Sequence, residues 1–257
     1  MQRKMIVLMI AVLAVGMAVQ VTWAHEFIVQ PVQLAASVGH KLPLSVVSAH
    51  VFVVSEEMEP IEQVDLALVK GDTREKVSLV PNEMLLTLDG AVELKQQGTY
   101  VLAGHRKGIL WTHTTKGWQQ AGKKGLQGVI SSGKYEKFCK TLVVSGQADD
   151  GYKKVVGDRL EIVPIDDPQK VAVGQDLNVQ ILFDGKPMPT EVYATYDGFT
   201  TVPNTYAYFT ETDENGRARI RLTHDGTWMV RVQHKVNEAT DDYDQYILRA
   251  VLVFGVR

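Results

Sequence analysis

Beyond residue 24, apolar and polar positions alternate with a period of two along most of the chain. This is the pattern of half-buried strands. It is clearest in "LKQQGTYVLAG", where a glycine turn is followed by Tyr100 and Leu102 facing one way and Val101 and Ala103 the other. Similar runs, "HEFIVQPVQLAAS", "HKLPLSVVSAHVFVV", "QVDLALVKG", "EKVSLVP" and "GILWTHTTKG", are separated by Gly, Pro, Asp and Asn. One stretch breaks the alternation. "TKGWQQAGKKGLQGVISSGKYEKFCKTLVV" is basic and poor in β-branched residues, and is predicted to form a short helix leading into a strand.

Residues 145–158, "SGQADDGYKKVVGD", are polar and glycine-rich, as a domain boundary should be. A tidier all-β pattern follows, from "RLEIVPIDDP" to "QYILRAVLVFGV". "FDGKPMP" and "DENGR" supply turn chemistry between extended runs. The expected architecture is all-β: two antiparallel, Ig-like β-sandwich domains in tandem, at 25–145 and 158–257.

The first 24 residues read as a signal peptide. Arg3 and Lys4 precede an apolar run from Met5 to Val19, and Thr22-Trp23-Ala24 places small residues at −3 and −1. A membrane anchor would need Gln20 and Thr22 within the span and lacks positive charge behind it. Cleavage would leave 233 residues, with 25 Lys and Arg against 30 Asp and Glu and a net charge of −5. That balance argues against nucleic acid and anionic membrane as partners. Cleavage of the signal would leave a periplasmic protein with no membrane span. Cys139 is the single cysteine, so no intrachain disulfide forms, and its apolar neighbours predict a packed thiol.

The seven histidines all lie beyond residue 24, and no two have the i, i+2 or i, i+4 spacing of a local metal clamp. A site must therefore be assembled in three dimensions. Cleavage after Ala24 would make His25 the first residue, with its imidazole and α-amine spaced to close a six-membered chelate ring. His50, in "VVSAHVFVV", has apolar neighbours on both sides and is a core histidine or a ligand. His234 ends "TWMVRVQH" on the face of Trp228, Val230 and Val232. It is a ligand or a buried histidine bonded to a carbonyl. His113 is a weaker candidate, and His40, His105 and His224 are expected at the surface. The acidic stretches "SEEMEP" (Glu56, Glu57, Glu59) and "NEATDDYDQY" read as solvated loops, the second near enough to His234 to lend it a carboxylate. No nucleophile elbow, phosphate loop or dinucleotide fingerprint is present.

The second half resembles small β-sandwiches of the carboxypeptidase-regulatory and transthyretin-like type, through "FDGKPM", "TETDENG" and "GTWMVRVQH". The whole chain resembles a family of periplasmic proteins with a domain of unknown function, described as accessory or substrate-capture components of nickel and cobalt transport. The shared stretches are "AHEF" (24–27), "AHVF" (49–52), "TKGWQQAGKK" (115–124), "KYEKFCKTLV" (134–143), "FDGKPM" (183–188) and "TWMVRVQH" (227–234). Two positions depart from it, Ile28 where many relatives have an aromatic and Ala49 where they have glycine.

The resemblance favours His234 as a ligand and puts Ni²⁺ or Co²⁺ first. Nitrogen ligands alone favour late first-row metals generally, with Cu²⁺ highest and Zn²⁺ close behind, so affinity does not name the metal. The expected function is a non-enzymatic periplasmic protein that captures a transition-metal ion at His25, His50 and His234 and presents it to a membrane metal transporter. Two alternatives stand beside it. One is a copper oxidoreductase with a histidine brace. The other is a structural or adhesive β-sandwich module in which the histidines bind nothing.

Overall fold

The computed structural model describes residues 25–257, so the expected signal peptide at 1–24 lies outside the described residues. In chain order the first strands are β1 (Glu26–Pro31), β2 (Ala35–Ala36), β3 (Lys41–Ala49), β4 (Val64–Lys70), β5 (Thr73–Lys76) and β6 (Leu79–Asn82). Next come β7 (Thr87–Glu93), β8 (Gly98–Thr114), β9 (Gly117–Gln119), β10 (Val129–Ser145), β11 (Leu160–Pro164) and β12 (Asp176–Phe183). The last are β13 (Lys186–Pro187), β14 (Glu191–Tyr196), β15 (Tyr208–Glu211), β16 (Arg217–Arg221), β17 (Gly226–Val236) and β18 (Gln245–Val256). Three short 3-10 turns are the only helical segments among the described residues. The helix expected after Thr115 is therefore absent. Its glycines, with Gly125 and Gly128 at positive φ, form turns between β9 and β10 instead.

The chain is all-β and built of sandwiches, but the two halves are not separate. A ten-stranded sheet passes through both, running β15-β14-β17-β18-β10-β8-β4-β5 with β2 paired to β10 and β9 to β8. The halves join where β10 and β18 pair in parallel, from Gly133 opposite Gln245 to Thr141 opposite Val253. A four-stranded sheet β1-β3-β7-β6 covers one face of this central sheet, and a sheet of β11, β12, β13 and β16 covers the other.

Central strands consequently bury both faces. Tyr100 and Leu102 pack into the core shared with β1 and β3, whereas Val101 and Ala103 pack into the core shared with β11 and β12. Cys139 and Val143 divide from Phe138 and Leu142 in the same way. Each fully buried aliphatic side chain contributes about 1.5–3 kcal/mol over leaving it in water. That explains the near-continuous apolar runs "TLVV" and "AVLVF", which strict alternation would forbid.

β1 is an edge strand, and its free backbone groups at Val29 are closed by β10 side chains. Val29 N–H donates to Cys139 Sγ at 3.2 Å, and Thr141 Oγ1 donates to Val29 O at 2.6 Å. This seals the edge against further strand addition and fixes the start of β1.

Candidate metal site

β1 and β3 are antiparallel, with Glu26 opposite Ala49. That register sets His25, just before β1, across from His50, just after β3. Their ring centroids are 3.9 Å apart. The chain then reverses through 51–54, where Val54 N–H bonds Val51 O and Val53 has φ of 61°. It returns antiparallel to its own strand: Glu56 N–H donates to Ser48 O at 2.9 Å, and Ser48 and Glu57 form an isolated bridge.

This return brings two carboxylates to the histidines. Glu56 Oε1 accepts the His50 backbone N–H at 3.0 Å, and its Oε2 lies 2.7 Å from His50 Nδ1. The same Oε2 is 3.4 Å from His25 Nε2. On the other side of the His25 ring, Nδ1 is 2.9 Å from Glu57 Oε1. His25, His50 and Glu56 each offer a ligand atom within 4.8 Å of the others, the arrangement a single metal ion needs. Burial pushes the Glu56 carboxyl up, but hydrogen bonds and charge from His50, with His25 behind, hold it below its usual range. For Glu57 the His25 hydrogen bond is the main influence and lowers it against the effect of burial.

Beneath the cluster lies a buried ionic layer. Glu59 accepts Lys137 Nζ at 2.7 Å and Ser48 Oγ at 3.1 Å, with Arg106 Nε at 3.5 Å. Glu26, beside His25, is 4% exposed, and its Oε1 is reached by Arg231 at 3.0 Å and Arg249 at 3.4 Å. Burial raises both carboxyls, and the surrounding cations more than reverse this, so both sit below the ordinary range. The ionised Glu26 pins the first turn of chain under His25.

The structure brings His25 and His50 together and places His234 elsewhere. Along β17, Arg231 reaches Glu26 while Trp228, Val230 and Val232 enter the core on the opposite face. His234 shares that opposite face by alternation, and its ring lies 4.5 Å from Phe183. Burial and the nearby Arg159 depress its protonation, as for a packed histidine. The contribution of the C-terminal half to the cluster is different: Arg231, Arg249 and Asn204, whose N–H donates to His50 O at 3.2 Å.

Of the remaining histidines, His40 is exposed and the other three are engaged locally. His113 stacks on Trp118 and His224 on Tyr196. His105 is half-buried rather than exposed, stacked on Phe138 with Nε2 2.5 Å from Glu136. In the second acidic loop, Asp244 bonds Ser132 and Lys123, and Glu238 accepts from Tyr243. Glu56 and Glu57 are the site residues that sequence reasoning missed. The available signal was a pair of carboxylates six and seven residues after His50, a spacing that a tight reversal closes.

Comparison with solved structures gives distant β-rich neighbours. The D0-D1 domain of intimin matches at 14% identity over 90% of this chain and 98% of its own, with a TM-score of 0.24. A DUF4785 family protein from Legionella pneumophila matches at 12% identity over 79% of this chain and 52% of its own, with a TM-score of 0.28. Salmonella α-2-macroglobulin matches at 11% identity over 91% of this chain and 15% of its own, with a TM-score of 0.26. No curated protein sequence matches the chain. No helix among the described residues is long and apolar enough to cross a membrane. The model of one family, DUF4198, described as a domain of unknown function, spans residues 22–236, and the chain belongs to it.

Proposed function

We propose that the protein captures a late first-row divalent metal ion at His25, His50 and Glu56, outside the cytoplasm, and presents it to a membrane transporter. The observation that carries this reading is the convergence of two imidazoles and a carboxylate within 4.8 Å. Imidazole with one carboxylate suits Ni²⁺, Co²⁺, Zn²⁺ and Cu²⁺, and affinity alone ranks copper highest. Nickel and cobalt come first through the sequence resemblance to transport accessory proteins. The His25 and Glu56 side chains are partly exposed, at 19% and 35%, and give an incoming ion access, whereas the His50 side chain is 6% exposed.

A metal bound only to the folded state should stabilise it by RT ln(1 + [L]/Kd), about 2.7 kcal/mol at a hundredfold excess over Kd. Thermal melts with and without NiCl₂ test this. His25→Ala and His50→Ala should each abolish most of the shift, and His234→Ala should leave it intact. Wild-type shifts in both the His25 and His50 variants would overturn the reading.

The 3.9 Å pairing of His25 with His50 also supports a second reading, a copper histidine brace. Copper-dependent consumption of peroxide, lost in His50→Ala, would favour it over capture alone.

A further inference from the structure

We propose that Glu57 is the positioning residue of this site. Its carboxylate takes the Nδ1–H of His25 and turns Nε2 toward the metal, so ligation needs no free amine at His25. The inference rests on the metal-capture reading and specifies which atom of His25 serves it.

A neutral imidazole has one N–H and one lone pair, and a hydrogen-bond partner on one nitrogen decides which is which. Glu57 Oε1 is 2.9 Å from Nδ1. A carboxylate there is an acceptor, so Nδ1 carries the proton and the lone pair belongs to Nε2. Nε2 is the nitrogen 3.4 Å from Glu56 Oε2, the oxygen that also reaches His50. The Glu56 oxygen offered to a metal therefore lies on the Nε2 side of the ring. A chelate with the α-amine would require the Nδ1 lone pair instead, and that would set it against a carboxylate oxygen. Carboxylate–histidine–metal triads use the same device, fixing ring and tautomer from behind.

Glu57 is itself held. Its backbone bridges Ser48, and Ser48 Oγ approaches its Oε1 at 3.3 Å. Lys137, the partner of Glu59 at 2.7 Å, adds electrostatic attraction from below. The two consecutive glutamates thus have different tasks, Glu56 facing the ion and Glu57 bracing the ring.

The test uses ¹⁵N-histidine-labelled protein beginning at His25, titrated with Zn²⁺ as a diamagnetic probe and read by long-range ¹H–¹⁵N correlation. The His25 Nε2 resonance should move to the metal-bound range while Nδ1 stays protonated. Glu57→Ala should weaken Zn²⁺ and Ni²⁺ binding about 10–100-fold. Glu57→Gln, whose amide oxygen still accepts, should recover most of that loss. A chain with one glycine added ahead of His25 should bind within about twofold of the unextended chain. Metal on Nδ1, wild-type affinity in Glu57→Ala, or loss of binding on adding the glycine would overturn the proposal. Loss of binding in His25→Ala and His50→Ala alongside any of these would leave metal capture standing. Retention in both would remove capture itself.

Discussion

Replacing Lys140 by methionine should be among the most damaging single changes in this fold, although the replacement is apolar and of similar length. Lys140 and Glu161 are each 2% exposed. Lys140 Nζ donates to Glu161 Oε1 at 2.9 Å and to Lys154 O at 2.8 Å, tying β10 to β11 and to the segment between them. Glu161 also accepts the backbone N–H groups of Val156 at 2.7 Å and Gly157 at 3.1 Å. Removing the ammonium leaves a buried carboxylate with two backbone donors and no counter-charge. Breaking one side of such a pair costs about 3–5 kcal/mol, a large part of a typical 5–15 kcal/mol of folding stability. The double variant Lys140→Met/Glu161→Gln removes both charges and keeps an acceptor oxygen for one of the two N–H groups, so it should regain part of the loss. Urea denaturation followed by far-UV circular dichroism measures both. A single variant within about 1 kcal/mol of wild type, or a double variant as unstable as the sum of the singles, would refute the reasoning.

The carboxyl of Asp158 is pushed up to about 7, first by burial and then by Glu161, and its Oδ2 is buried without a hydrogen-bond partner. Its folded value lies above the unfolded value of about 3.9, so the native state bears a cost that is full above pH 7 and absent below about pH 4. Asp158→Asn should therefore stabilise by about 1–3 kcal/mol at pH 8 and by little at pH 4, and equal gains at both would contradict this. Cys139 is fully buried, with its thiol pushed up to about 12 mainly by burial, so it should resist a disulfide reagent until the protein unfolds. Rapid labelling under native conditions would show the β1–β10 contact to be wrong.

Much of the strand pattern was legible because one apolar face per strand is enough to reveal period two. The alternation read at Tyr100–Ala103 is the alternation between the two cores. The turn at Asp184–Gly185, both at positive φ, lies where "FDGKPMP" put it. The shared central sheet was less legible, since parallel pairing of β10 with β18 leaves no local mark in either segment. The continuous apolar runs in those strands were its only trace.

At the site, alternation placed His234 on the correct face of β17. It could not say that this face looks into the opposite core from the one near His25. Glu56 and Glu57 resembled a solvated acidic loop because the reversal through Val53 puts a β-branched residue at positive φ, where sequence preference would place glycine.

The parallel β10–β18 junction also sets the order in which the molecule can fold. Its partners are far apart in the chain; Ser132 and Asp244, at one end of the junction, are separated by 112 residues. Pairings of such separation form slowly, because a long loop must close before any contact rewards it. While β18 is unmade or unplaced, β10 has β8 on one side, and on the other an edge left open from Gly133 to Thr141, beyond its short pairing with β2. Such an edge is a template for a foreign strand. The N-terminal half therefore holds all three proposed metal ligands early in synthesis, but Arg231 and Arg249 reach Glu26 only with β17 and β18. Until those strands arrive, the metal site lacks its anchor and the nascent sheet depends on protection from its neighbours.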